Sequence, residues 1–130
     1  MKTAFRLIII CVMLMSAALA DAQQLTTRFM SVDDGDVVEA QTVFTLDTSK
    51  HTITVENVST SRVRVLHIVN TREPIVRDDM ELQTFDCTEG MNNVEFTQIH
   101  SNKPGKPIMF ALTYKLGDVK VFQETYMTDW

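Results

Sequence analysis

Apolar and polar side chains alternate along most of the chain after residue 22, with the two-residue period of a half-buried β-strand. The clearest pair of such runs comprises residues 43–47 and 52–56. Apolar side chains occupy alternate positions in each run and so share one face of it: Phe44 and Leu46 in the first, Ile53 and Val55 in the second. The polar segment 48–51 separates the two runs, so the pattern predicts a hairpin.

Further runs of the same kind predict the remaining strands: 25–32, 61–69, 82–87, 94–99, 108–114 and 119–126. Turn residues separate them, at the sequence Asp-Asp-Gly-Asp of 33–36, at the Pro-Gly-rich segment 103–107 and at Gly117-Asp118. No long window shows a helical period, and segment 70–81 is predicted as a loop. The pattern predicts an all-β fold of seven or eight antiparallel strands, arranged as a meander, a small barrel or a sandwich.

The run 61–69 is the longest β-branched segment and has two different faces. One face carries three valines and a histidine, and the other carries two arginines ahead of Leu66 and Ile68. The first face is the more uniformly apolar, which predicts that Val63, Val65, His67 and Val69 point inward. His67 would then line the interior of the barrel or sandwich, where a ligand would meet it.

The first 22 residues have the three parts of a secretory signal peptide. Lys2 and Arg6 precede the apolar run 7–15, and small residues follow it. Cleavage after Ala20 or after Ala22 satisfies the small-x-small rule, and the second position is preferred. The apolar run is shorter than the about 20 residues of a membrane-spanning helix, so we expect cleavage rather than a retained membrane anchor. We expect no transmembrane segment after signal removal.

Length and composition indicate one domain at 23–130. The chain has 130 residues, of which 45% are hydrophobic and 22% charged, and this length and composition exclude disorder, collagen and a multi-domain enzyme. The net charge is −5, and loss of two basic residues and one acidic residue with the signal peptide makes it −6. Phosphate backbones repel an acidic domain, so nucleic acid is not an expected partner.

Cys87 is the one cysteine outside the predicted signal peptide, so no disulfide within the domain is possible. It follows an apolar run and is adjacent to Asp86, whose charge disfavours a thiolate. We therefore expect a small buried side chain. Two alternatives stay open: a disulfide between two chains, and a thiol nucleophile assisted by a histidine.

No metal or cofactor is expected. The three histidines, His51, His67 and His100, show no ligand spacing. The acidic turn 33–36 lacks the spacing and terminal glutamate of an EF-hand, which favours a solvated turn. Asn57-Val58-Ser59 matches the acceptor pattern for N-glycosylation, which matters only in a eukaryotic secretory pathway.

Several segments resemble small exported β-proteins of Bacteroidetes-type bacteria: the signal ending at Ala22-Gln23, the hairpin of 44–47 with 53–55, the segment 85–96 and the closing hairpin. The resemblance covers most of the mature chain. It implies a periplasmic or secreted location and a compact antiparallel β fold. That group has no established activity, so no catalytic residue is carried over. Such proteins often have a second cysteine where this chain has Asn92 and Asn93, which puts a redox or disulfide role in doubt.

Elimination of catalytic patterns favours a non-enzymatic binding module for a small apolar ligand or a protein partner. The candidate lining residues are His67, Phe96, Phe110, Tyr114, Phe122 and Tyr126. Aromatic side chains at strand spacing are more often core. The alternatives are a small secreted hydrolase that uses Cys87 or carboxylates, and a protein inhibitor or adhesion module.

Overall fold

A computed structural model describes residues 22–129, which form nine β-strands. The strands are β1 Ala22–Val32, β2 Val38–Asp47, β3 Thr52–Asn57, β4 Arg62–Thr71, β5 Ile75–Arg77, β6 Met80–Glu89, β7 Asn92–Ser101, β8 Met109–Leu116 and β9 Val119–Met127. No helix in the described range is long and apolar enough to cross a membrane. The predicted signal peptide, apart from Ala22, lies outside the described residues.

Eight of these strands close into a barrel. Each pairs antiparallel with its neighbours in the order β4, β3, β2, β1, β9, β8, β7, β6, and pairing of β4 with β6 closes the ring. Apart from the short β5, consecutive strands are neighbours, as in an up-and-down meander. The all-β antiparallel prediction is confirmed, and the architecture is a barrel rather than a sandwich.

β5 corrects one expectation, because it lies in segment 70–81, which the sequence predicts as a loop. Its three residues pair with Met80–Leu82 of β6 across a tight turn at 78–79. Asp78 adopts the left-handed conformation, with φ 51°, that this turn requires. Three residues are too few for a period to show in the sequence.

Local side-chain chemistry fixes the turns that hold the meander. In the β2–β3 connection, Asp47 Oδ1 accepts hydrogen bonds from the backbone N–H of Ser49 and of Lys50, both at 3.1 Å. Aspartate side chains commonly stabilise turns by accepting hydrogen bonds from the backbone that follows them. In the β1–β2 connection, a Cβ on Gly35 would lie 2.9 Å from the carbonyl oxygen of Val32, so only glycine fits there.

Aromatic rings fill the centre of the barrel. Phe44 is at the middle of this cluster, with its ring centroid 5.8 Å from Phe96, 4.6 Å from Phe110 and 5.1 Å from Tyr126. Next to the cluster, toward the end of the barrel where β2 connects to β3, only about 10 Å³ of space remains. That is roughly the volume of one water probe. The barrel is therefore a packed core and not a hollow container.

On β4, the face that points toward the core is opposite to the face that carries the valines. Leu66 is fully buried and Ile68 packs against the core, whereas His67 lies on the exposed outer face with the three valines. The prediction that His67 lines the interior is wrong. Valine favours strands because its branched side chain suits the pleated backbone, whether or not that face is buried.

Candidate functional site

An open cavity of about 390 Å³ lies at one end of the barrel. We call this end the mouth; its turns are 33–37, 58–61, 90–91 and 117–118. The cavity is lined by Arg62, Arg64, Glu89, Asn92, Tyr114, Lys115, Leu116, Val121, Phe122 and Glu124. Its volume falls in the range of small-molecule sites, about 300–1,000 Å³.

Arg64 lies at the middle of a charged network in this cavity. Its Nε and Nη2 donate to the two carboxylate oxygens of Glu89, at 3.1 and 3.4 Å. Its Nη1 donates to Glu124 Oε1 at 2.9 Å. The three side chains are 16–27% exposed, so solvent screens the network only in part. The bidentate contact with Glu89 fixes the plane of the Arg64 guanidinium.

Two tyrosines complete the network from the side of the core. The hydroxyl of Tyr114 donates to Glu89 Oε1 and that of Tyr126 to Glu124 Oε1, each at 3.2 Å. The guanidinium carbon of Arg64 lies 5.2 Å from the centroid of the Tyr114 ring, within cation–π range. Each glutamate is therefore held by both a cation and a phenol.

Hydrogen bonds, neighbouring charges and burial fix the charge states around Arg64, and a second ring stacks on Tyr114. The Phe122 ring stacks on Tyr114 at 4.4 Å and 14°. Burial acts to lower the pKa of Arg64, but hydrogen bonds and charges from Glu124 and Glu89 outweigh it and raise that pKa. Burial, followed by the charge of Glu124, raises the pKa of Tyr126. At neutral pH the arginine stays charged and this tyrosine stays neutral.

The strands bring these groups together from distant positions in the sequence. Arg64 lies on β4, Glu89 at the end of β6 and Glu124 on β9, so 25 residues separate the first pair and 60 separate Arg64 from Glu124. The sequence pattern singled out none of the three, because no motif links them. The available signal is parity: Glu124 lies two residues from both Phe122 and Tyr126, which places it on the inner face.

The candidate lining residues divide into three groups. Phe96 and Phe110 belong to the filled centre, and Tyr126 connects the centre to the network. Tyr114 and Phe122 line the mouth cavity. His67 lies outside, as described above.

Cys87 is a free thiol, and only 2% of its surface is exposed. Burial, together with the charge of Asp86, raises its pKa to about 12. A nucleophilic thiol needs the opposite, a lowered pKa and some access. The burial also keeps this sulfur from reaching a second chain.

A second charged cluster crosses the outer face of the barrel. Nη2 of Arg72 bonds Asp86 at 2.6 Å and Glu95 at 2.8 Å, and Lys115 Nζ bonds Glu95 at 2.9 Å. These bonds connect the outer faces of β6, β7 and β8 to the segment that follows β4. These exposed and half-buried ion pairs join neighbouring strands on the outside of the sheet, and Lys115 is the member of the cluster that also lines the mouth cavity.

The described part of the chain contains no group of three histidine, cysteine or acidic residues that could hold a metal ion. Asp33 of the acidic turn contacts β9 instead, because its Oδ1 accepts a hydrogen bond from the backbone N–H of Gln123 at 2.8 Å.

Comparison of the chain with known protein families, with curated proteins and with solved structures finds no match. The mouth must therefore be interpreted from its own geometry.

Proposed function

We propose that this protein is an exported, non-enzymatic binding module that takes a small ligand at the mouth of its barrel. The observation that carries the proposal is the open cavity of about 390 Å³ above a filled aromatic centre. Its wall combines stacked rings with a charged network that is fixed by its own hydrogen bonds. Small-molecule sites are usually concave and contain a small number of polar groups that are held in fixed positions.

Packing at the centre limits where a ligand can bind. Phe44, Phe96 and Phe110 occupy the space that an apolar ligand inside the barrel would need. Binding is therefore assigned to the mouth, where polar groups lie beside apolar ones. The ligand is amphipathic rather than purely apolar.

The side chains that could act in catalysis are either engaged in hydrogen bonds or buried. Glu89 accepts two hydrogen bonds from Arg64 and Glu124 accepts one, and each glutamate also accepts one from a tyrosine. These bonds orient the carboxylates but also engage them. The buried Cys87 has a raised pKa and lies outside the residues that line the mouth. These observations support binding over the thiol or carboxylate hydrolase.

Native mass spectrometry of the protein recovered from an exported fraction tests the proposal. The full chain is expressed in an exporting host, purified and incubated with a small-molecule extract of that fraction. We expect a chain that lacks residues 1–20 or 1–22, carries an added small mass and forms no disulfide-linked dimer. A chain that keeps its first residues would overturn export.

Two tryptophan variants locate the bound mass. Val121→Trp fills the mouth, and Val63→Trp places the same side chain on the outer face of β4, where the valine is similarly exposed, 52% against 59%. The added mass is expected to disappear in the first variant and to persist in the second. A wild-type protein that takes up nothing, or a Val121→Trp variant that still binds, contradicts the assignment to the mouth.

A further inference from the structure

The hydrogen-bonding groups still available in the mouth are mostly donors. A guanidinium has five N–H groups. Three of those of Arg64 are bonded to Glu89 and Glu124, so two remain for another acceptor. Arg62 also lines the cavity, and among residues 22–129 its guanidinium has no ion-pair or hydrogen-bond partner.

Few acceptors in the mouth remain to match these donors. Glu89 accepts bonds on both carboxylate oxygens, and Glu124 accepts two on Oε1. Within the described residues, Oε2 of Glu124 is the one carboxylate oxygen of the cavity wall that receives none. Most of the hydrogen-bonding groups that remain available in the wall therefore belong to its cations. A matching ligand group would accept hydrogen bonds and carry negative charge.

Charge along the wall supports the same assignment. Arg62, Arg64 and Lys115 face two carboxylates in the cavity lining, whereas the whole chain carries a net charge of −5. Lys115 is paired with Glu95 outside the cavity, and Arg64 is paired within it. Arg62 is thus the cation of the lining that is left for a ligand.

Apolar side chains surround the mouth. Exposed large hydrophobic residues lie in the mouth turns or within a few residues of them: Val32, Val38, Val58, Met91, Leu116, Val119 and Val121. Of these, Leu116 and Val121 line the cavity itself, next to the Phe122 ring. An acidic head bound at the arginines would leave the rest of the ligand against this apolar rim.

We infer that the mouth binds a small organic carboxylate with an apolar body, held by Arg62 and by the remaining N–H groups of Arg64. A planar carboxylate matches the two parallel donors of a guanidinium. The body of the ligand lies against Leu116, Val121 and Phe122. This inference rests on the proposed function, since it names the ligand class of the same cavity.

Three probes with one tail and different heads test the ligand class. Hexanoate, 1-hexanol and hexylammonium share the apolar chain and differ in charge. Backbone amide shifts of Asn92, Leu116 and Phe122 are followed by NMR as each probe is added to the purified protein. We expect saturable shifts with hexanoate, weaker shifts with hexanol and the weakest with hexylammonium.

Arg62→Gln and Arg77→Gln form a matched pair of variants for the same titration. Both arginines are exposed, and Arg77 on β5 lies away from the cavity. Loss of a charged hydrogen-bond partner is expected to weaken hexanoate binding about tenfold in the first variant. Binding to the second variant should equal that of the wild type, and hexanol binding should be unchanged in both.

The outcomes separate the two levels of the proposal. Hexylammonium binding as well as hexanoate, or unchanged hexanoate binding in Arg62→Gln, overturns the carboxylate assignment but leaves a ligand site at the mouth. Absence of shifts at the mouth with all three probes also overturns the carboxylate assignment. If Val121→Trp then takes up the same added mass as the wild type, the mouth itself is not the site.

Discussion

The centre and the mouth of the barrel are built by the same strands, yet their inner faces have opposite chemistry. The change takes place over two residues on each of three strands: Leu66 to Arg64, Cys87 to Glu89, and Tyr126 to Glu124. In the centre the contacts are ring against ring. In the mouth they are charge-assisted hydrogen bonds around one guanidinium.

This difference has an energetic reason. A charge placed among the rings of the centre would lose its hydration without enough partners to replace it. At the mouth, water still reaches the network, and each carboxylate has both a cation and a phenol beside it. The barrel can therefore keep a fixed polar site only where its inner face meets solvent, and the centre supplies the stability that the site does not.

The largest effect should come from opening the centre. Phe44→Ala removes the ring that contacts Phe96, Phe110 and Tyr126, and should lower the free energy of unfolding by about 3–5 kcal/mol. Urea denaturation followed by fluorescence measures the loss. If this variant does not fold, Phe44→Leu keeps most of the volume and should cost at most ~1.5 kcal/mol.

Phe29→Ala is the control for that experiment. Phe29 lies on β1, half-buried, with the Arg28 guanidinium 5.4 Å from its ring centroid. Removal of a half-buried ring should cost about 1 kcal/mol. Equal losses for the two phenylalanines would mean that the ring cluster contributes no more than ordinary surface burial.

A smaller loss is expected from breaking the network at the mouth. Arg64→Met leaves Glu89 and Glu124 side by side without their shared cation, and removes the contact with the Tyr114 ring. A fully buried pair broken in this way costs about 3–5 kcal/mol, so this partly solvated one should cost about 2 kcal/mol. The readout is again the free energy of unfolding.

The triple variant with Arg64→Met, Glu89→Gln and Glu124→Gln sharpens that result. With no charge left to neutralise, it should recover most of the stability that Arg64→Met alone loses. A triple variant as unstable as the single one would show that Arg64 acts through packing rather than charge. The mouth would then resemble the centre, where packed side chains supply the stability.

The sequence predicts the centre better than the mouth for a physical reason. Alternation of apolar residues marks a uniformly buried face, and it correctly indicates strands such as β2 and β3. On β4 the inner face begins with two arginines, so the alternation favours the wrong side and misplaces His67. Arg64, Glu89 and Glu124 meet only because the barrel closes, and closure is a property of the whole sheet rather than of any segment.

The smallest effect should come from the charged cluster on the outer face. Hydrogen bonds from Arg72 lower the pKa of Asp86, and those from Lys115 and then Arg72 lower the pKa of Glu95, from ordinary values of 3.8 and 4.5. A carboxyl whose pKa is depressed by folding stabilises the protein above its unfolded pKa, and the contribution disappears as the pH falls through its folded pKa. Stability should therefore decline below about pH 4.5 as these two groups become protonated.

Arg72→Gln should reduce that decline and cost a few tenths to about 1 kcal/mol at neutral pH, because the arginine is half exposed and its pairs are screened by solvent. Arg77→Gln, which removes an exposed arginine of β5, should leave both quantities unchanged. Urea midpoints at a series of pH values measure them. An acid decline as steep in Arg72→Gln as in the wild type would show that Asp86 and Glu95 gain no stability from Arg72, and that the outer cluster does not set the acid sensitivity of the fold.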